Sequence, residues 1–182
     1  MANKEKLQRA ASLCDGVPEK YLQGLSDKER AKRCAEVKRG AKTDSDDPSA
    51  YETSRFETDF DKSGKRRVTK TSTYTEQFYD LFPDAKSLEQ KAEATGVPLE
   101  ILQQVYDRGL AAYRTGHRPG ATQGQWAAAR VHSFLVKGCT HFFPDHKLVA
   151  EAKERSARAR KHFDALGCAC KKGCKSGSRS YK

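Results

Sequence analysis

Residues 97–143 read VPLEILQQVYDRGLAAYRTGHRPGATQGQWAAARVHSFLVKGCTHFF, and this stretch decides the fold because it alone combines a sustained apolar pattern with few charges. Pro98 suits the first position of a helix, where its missing N–H would be unpaired in any case. Leu102, Val105 or Tyr106, Gly109 or Leu110, and Tyr113 then recur every three or four residues. This spacing predicts one helix with a single buried face.

A bend follows at residues 115–120, where two glycines and a proline interrupt the helical pattern. Thr122 and Gln125 have the spacing of a capping box, in which each side chain satisfies the backbone N–H of the other residue. They predict the start of a second helix, which ends at Gly138. The predicted core of the hairpin consists of Leu102, Val105, Tyr113, Trp126, Phe134 and Leu135.

The rest of the chain predicts a mainly α fold with little sheet, because alternating apolar and polar runs are nearly absent. We expect a small helical domain built on the helix-turn-helix hairpin, with extended N-terminal and C-terminal arms. Further helices are predicted at residues 1–13, 26–40, 75–82, 84–94 and 145–166. The predicted layout is an N-terminal helical arm (1–40), an extended charged linker (41–72), a helical core domain (73–166) and a basic Cys/Gly/Ser tail (167–182).

The linker region is sparse in apolar residues and segregates its charges. Residues 44–61 hold seven acids and one arginine, and residues 62–70 hold five bases. Such a segment is either a solvated linker or one that becomes ordered on binding. In the second case the aromatic side chains of Tyr51, Phe56 and Phe60 would anchor it on a partner.

The net charge of +11 favours polyanions or acidic protein surfaces, although a basic surplus also serves solubility. Hydrophobic residues make up 36% of the chain and charged residues 32%, so only a modest core is expected. We expect no membrane span, because no run of about 18 apolar residues occurs. We also expect no secretory signal at the N-terminus, which lacks an apolar region.

A cluster of cations lies on or beside the predicted bend. Arginine side chains and the N–H groups at the start of the second helix could together bind a phosphate or carboxylate. Alternatively, Arg108 or Arg130 pairs with Asp107 or a carbonyl group and pins the bend. The candidate anion-binding or partner-binding residues are Arg108, Arg114, His117, Arg118 and Arg130.

Six cysteines are present, and four of them lie in the second half of the chain. Cys139, Cys168, Cys170 and Cys174 could form disulfides, bind a metal or remain free thiols. Their spacing does not match the paired C-x2-C pattern of common zinc sites. No nucleophile turn, phosphate loop or carboxylate pair indicates catalysis, so we expect neither an enzyme nor a cofactor.

Three blocks of the central stretch resemble a domain of unassigned function found in large algal double-stranded DNA viruses, of the chlorovirus kind, and in some tailed phages. The matching blocks are YDRGLAAY (106–113), GHRPGATQ (116–123) and WAAARVHSF (126–134), with a weaker match at YLQGLSDKER (21–30). The resemblance covers about half of the chain and implies a virus-encoded protein, without bringing catalytic residues with it.

From viral origin, composition and extended segments we expect a minor capsid protein that bridges or cements major capsid proteins. Its expected partners are major and other minor capsid proteins, in a multi-copy assembly. Its expected location is the virion, assembled in the host cytoplasm. The rival expectation is a basic virion protein that binds or packages viral DNA through its last helix and tail.

Overall fold

Helices make up most of the computed structural model, which describes residues 14–42 and 56–175. The predicted mainly α class is therefore confirmed. Within the described ranges no β-strand occurs, and Phe60 and Arg66 form one isolated antiparallel bridge. The helix predicted at residues 1–13 and the end of the predicted tail, residues 176–182, lie outside the described residues.

Nine α-helices occur in the described ranges, together with short 3-10 helices at Glu19–Tyr21 and Glu57–Asp59. No helix in these ranges is long and apolar enough to cross a bilayer. The α-helices are α1 (Asp27–Gly40), α2 (Thr73–Leu81), α3 (Leu88–Thr95), α4 (Leu99–Thr115), α5 (Gln123–Leu135), α6 (Cys139–Phe142), α7 (His146–Arg155), α8 (Ala157–Ala165) and α9 (Lys171–Lys175).

Helices α4 and α5 are the two helices predicted from the central stretch. The predicted capping box is present, since the Thr122 N–H donates to Gln125 Oε1 at 2.9 Å and the Gln125 N–H donates to Thr122 Oγ1 at 3.2 Å. Gly109 on α4 lies against Ala127 on α5, and a Cβ at Gly109 would lie 2.6 Å from the Ala127 Cα. A glycine at this position therefore lets the two helix backbones approach closely.

The chain divides into two units whose boundaries differ from the predicted four-part layout. The first unit comprises Met1–Lys70 and Leu110–Trp126, and the second comprises Thr71–Gly109 and Ala127–Lys182. Helices α4 and α5 each contribute residues to both. The predicted layout divides the chain where composition changes, whereas long-range packing joins segments that are distant in sequence.

The second unit has an apolar core made by α2, α4, α5, α7 and α8. Four residues predicted as core lie fully buried within it: Leu102, Val105, Phe134 and Leu135. Burying each such side chain contributes about 2 kcal/mol to folding.

The first unit has a smaller apolar core that encloses buried charges. Tyr113 is buried there, as predicted, whereas Trp126 is only half-buried. Phe56 and Asp59 are almost completely buried, so the second half of the predicted extended linker is a packed part of this unit. The physical reason is that residues 56–59 supply both an aromatic ring and an acid to the buried charges of the unit.

The long helix predicted at residues 145–166 is two helices, α7 and α8. The break falls at Ser156, whose backbone is extended at φ −142° and ψ 116°. Its hydroxyl accepts from the Ala159 N–H at 3.1 Å and donates to the Gly96 carbonyl at 2.7 Å. Ser156 therefore caps α8 and ties its start to the end of α3.

Candidate functional site

Asp59 is the centre of a buried charged cluster in the first unit. It closes the short helix Glu57–Asp59 and is 2% exposed. Its carboxylate accepts from Arg33 Nη1 at 2.9 Å, from His117 Nε2 at 2.8 Å and from the Gly120 N–H at 3.1 Å. One acid therefore joins helix α1, the segment 57–59 and the bend after α4.

The imidazole of His117 lies between two aromatic rings. The Tyr113 ring stacks on it with 3.6 Å between centroids, and the Phe56 ring lies 4.7 Å away on centroids. His117 Nδ1 lies 2.9 Å from the Tyr113 carbonyl oxygen, which can only accept. Since Nε2 faces the Asp59 carboxylate, both hydrogen bonds form together only when both ring nitrogens carry a proton.

Glu36 supplies the second buried acid beside Arg33. Its Oε1 accepts from the Glu57 N–H at 2.8 Å, its Oε2 accepts from the Thr58 hydroxyl, and Arg33 Nη1 lies 3.9 Å from Oε2. We refer to Asp59, Arg33, His117 and Glu36 as the Asp59 cluster. The cluster therefore places two buried acids beside the Arg33 guanidinium and the His117 imidazole.

Arg33 lies next to both acids of the cluster. It is completely buried, donates from Nη1 to Thr58 Oγ1 at 3.0 Å and from Nη2 to the His117 carbonyl, and lies 4.5 Å from the Phe56 ring centroid. Burial lowers the pKa of Arg33, and the opposing charge of Asp59 partly offsets this effect. A fixed guanidinium of this kind pins the bend at His117 to helix α1.

The pKa of Asp59 also results from the opposing effects of burial and of neighbouring charges. Burial by itself raises the pKa, but the hydrogen bond and charge of His117 and the charge of Arg33 leave it below its usual value. Asp59 is therefore ionised over the neutral range. With both carboxylate oxygens occupied by donors from the chain, the arrangement serves to hold three segments together.

A second ionic cluster lies in the second unit around Asp145, which is fully buried. Arg130 binds it through two parallel contacts of 2.9 Å, from Nε to Oδ2 and from Nη2 to Oδ1. Arg108 Nη1 donates to Oδ1 at 3.0 Å and to the Pro144 carbonyl at 3.3 Å. These contacts fix the start of α7 against helices α4 and α5.

The five cations predicted as an anion pocket have separate roles. Arg108 and Arg130 pair with Asp145 and not with Asp107, and Arg108 also donates to the Pro144 carbonyl. His117 belongs to the Asp59 cluster. Arg118 Nη1 donates to the Lys70 carbonyl at 3.4 Å.

Arg114 is half-buried at the end of α4. The prediction placed these five residues together because they are close in sequence. Arg108, His117 and Arg130 instead contact buried acids that are distant from the bend in sequence, Asp145 and Asp59.

All six cysteines are paired. The disulfides are Cys14–Cys34 in the first unit, and Cys139–Cys170 and Cys168–Cys174 in the second. In the described part of the chain, no group of three His, Cys, Asp or Glu side chains is placed to hold a metal ion. Cys139, Cys168, Cys170 and Cys174 could have formed disulfides, bound a metal or remained free thiols, and the structure shows disulfides.

Two of the three residues predicted to anchor the chain on a partner, Phe56 and Phe60, pack against residues of the chain itself. Tyr51 lies outside the described residues. Phe56 is fully buried against His117, so its ring is not available to another protein. Phe60 is half-buried beneath the Arg66 guanidinium, 4.8 Å from the ring centroid.

The Asp59 cluster was not predicted from the sequence, although one signal was present. Arg33 and Glu36 alternate with Cys34 and Val37 on helix α1, so charged residues share the face that carries its few apolar side chains. A charged pair three residues apart on a buried face indicates an internal ion pair.

The model of the Family of unknown function (DUF5824) matches residues 18–149. No curated protein and no solved structure matches the chain. The matched range includes every member of the Asp59 cluster and of the Asp145 cluster, so both lie within the family domain.

Proposed function

We propose that this chain, which belongs to DUF5824, a family of unknown function, is a structural component of a virus particle. In this proposal it is a minor capsid protein that bridges or cements major capsid proteins of a large icosahedral double-stranded DNA virus. The proposed viral origin is supported by the resemblance of the segments 106–113, 116–123 and 126–134 to the viral domain. The resemblance brings no activity with it, so the role must be argued from the properties of the chain.

The observation that carries the proposal is the pairing of all six cysteines in three disulfides. Disulfides persist in oxidising surroundings, which include virion surfaces, and are rare in the reducing cytosol. Loops of 20 and 31 residues are closed by two of them, and each such closure stabilises a fold by about 3–4 kcal/mol. A chain locked in this way suits a long-lived particle.

The two buried ionic clusters support a structural role in the same way. Asp59 and Asp145 each receive donors from several segments of their own unit, and both are almost fully enclosed. Removing one member leaves its partners charged and buried, so such clusters specify one arrangement of the segments they join. A rigid unit of this kind can present fixed surfaces to neighbouring capsid proteins.

A second candidate function is binding or packaging of viral DNA through the C-terminal basic helices. Helices α7 and α8 carry exposed cations, including Lys147, Arg158 and Lys161. Others on these helices are paired, since Lys153 binds Asp164 at 2.6 Å and Arg155 binds Glu151 at 3.0 Å. The remaining positive charge favours contact with phosphates.

One fractionation separates the two candidates. Gradient-purified particles are opened to release their genome, treated with or without nuclease, and probed with an antibody raised against the recombinant chain. A capsid role predicts that the chain sediments with the empty shells in both cases. A DNA-binding role predicts that it leaves with the genome and becomes soluble after nuclease treatment, and absence from the particles contradicts both.

A further inference from the structure

The Lys20 ammonium lies beside two aromatic rings in the first unit, and the backbone of Lys70 lies next to Arg118. Arg118 donates to the Lys70 carbonyl at 3.4 Å, and burial and the positive charge of Arg118 both lower the pKa of Lys20. The Lys20 ammonium lies 5.3 Å from the ring centroid of Tyr21 and 5.5 Å from that of Trp126. We refer to these five residues as the Lys20 patch.

The three cations of the patch differ from neighbouring cations in their ion pairing within the described part of the chain. Among the described residues, none of Lys20, Arg118 and Lys70 takes part in a salt bridge, whereas the neighbouring Arg30 and Arg67 are paired with Glu19 and Glu29. Partial burial lowers the pKa of Lys20, and the positive charge of Arg118 lowers it further. Like charges held together in this way favour an added anion.

The backbone around the bend holds the patch in place. Arg66 Nη1 donates to the Ala121 carbonyl at 3.2 Å, and Gly120 leaves no room for a side chain beside the backbone of Arg67. The segment 66–70 therefore lies along the bend, which places Lys70 next to Arg118.

The aromatic part of the patch is also fixed. Tyr21 lies against the backbone of Gly116, where a Cβ would come within 2.6 Å of the Tyr21 ring. The Tyr21 and Trp126 rings meet edge to face, with 5.7 Å between centroids and 63° between planes. Both rings are half-buried, so part of each faces solvent next to the cations.

We propose that the Lys20 patch binds single-stranded nucleic acid, with backbone phosphates on Lys20, Arg118 and Lys70 and a neighbouring base or sugar against the exposed part of Trp126. Proteins that bind single strands combine cations along the phosphate backbone with aromatic side chains that contact the bases. A purely acidic protein surface would use the cations and leave the rings without a role. The inference goes beyond the capsid role and does not rest on it.

Fluorescence anisotropy of a fluorescein-labelled 20-nucleotide oligothymidylate tests the inference on the full oxidised chain. Each phosphate contact to a single strand contributes about 0.7 to the slope of log affinity against log salt concentration. The triple variant Lys20→Gln/Arg118→Gln/Lys70→Gln is therefore expected to reduce that slope by about 2.

A matched triple variant removes the same charge from exposed lysines of the second unit. Lys147→Gln/Lys161→Gln/Lys172→Gln is expected to leave the slope unchanged. An equal reduction in this control assigns binding to the C-terminal helices and overturns the inference.

Trp126 reports the aromatic contact directly, because it is the single tryptophan of the chain. Its fluorescence is expected to be quenched as the oligonucleotide saturates the protein, and Trp126→Ala is expected to weaken binding about tenfold. Trp126→Phe keeps a ring and is expected to retain most of the affinity, which separates loss of stacking from misfolding. Unchanged Trp126 fluorescence at saturation contradicts the inference.

Three further probes distinguish the kind of anion. Inorganic phosphate at millimolar concentration is expected to compete weakly, because it engages one contact at a time. A 20-base-pair duplex and polyglutamate are expected to bind at least fivefold more weakly than the single strand. If either binds as tightly, the patch recognises charge alone and the assignment to single-stranded nucleic acid is wrong.

Discussion

Replacing Asp59 with asparagine tests whether the Asp59 cluster holds the first unit together. Asparagine has nearly the same shape, but it removes the charge that faces Arg33 at 2.9 Å and His117 at 2.8 Å. Arg33 would remain fully buried with only Glu36, at 3.9 Å, as an opposing charge. Removing one partner of a buried ion pair costs about 3–5 kcal/mol, so we expect a loss of this size.

Urea unfolding followed by Trp126 fluorescence measures this loss, because Trp126 belongs to the first unit. With a typical m-value of about 2 kcal/mol per molar urea, the midpoint is expected to fall by about 2 M. Glu57→Gln is the matched control, since Glu57 pairs with Lys32 on the exposed surface of the same segment. The reasoning is refuted if Asp59→Asn shifts the midpoint no more than Glu57→Gln does.

Three further predictions concern the second unit. Cys139→Ser/Cys170→Ser opens a 31-residue loop and is expected to lower the free energy of unfolding by about 4 kcal/mol, measured by thermal unfolding against the oxidised parent chain. Burial lowers the pKa of His132 and of His141 to about 4 from 6.5, so the unfolded chain takes up these protons first as the pH falls. The free energy of unfolding is therefore expected to decrease between pH 6.5 and 4, by up to about 3 kcal/mol per histidine. Circular dichroism measures the melting temperature at each pH, and a melting temperature that stays constant over this range contradicts the lowered pKa of the two histidines. Gly109→Ala is expected to destabilise the unit by about 1–3 kcal/mol, because the new Cβ would lie 2.6 Å from a backbone atom of α5. This loss outweighs the better helix propensity of alanine. An increase in the melting temperature would exclude the close contact.

The central helices could be predicted from the sequence because their signals are local. Apolar spacing, a proline at the start of α4 and the capping box of Thr122 and Gln125 all act within a few residues. The break between α7 and α8 could not be predicted in this way, because the apolar pattern continues across Ser156. It depends on a hydrogen bond from Ser156 to Gly96, which lies 60 residues earlier.

The charged clusters depend on contacts over still longer distances in sequence. Asp59 lies in an acidic run that resembles a solvated linker, and its partners are 26 and 58 residues away. Burial of a carboxylate is favourable only when such partners are brought to it by the fold. The cysteine pairing has the same origin, since six cysteines allow 15 pairings and spacing alone does not select one.

Cross-linking mass spectrometry of intact, gradient-purified particles tests the proposed capsid role most directly. A lysine-reactive cross-linker should join exposed lysines of the chain, such as Lys147 and Lys161, to major or minor capsid proteins at many copies per particle. The account predicts that these links persist after the genome has been removed. Particles that lack the chain, or in which it is linked to no capsid protein, would contradict it.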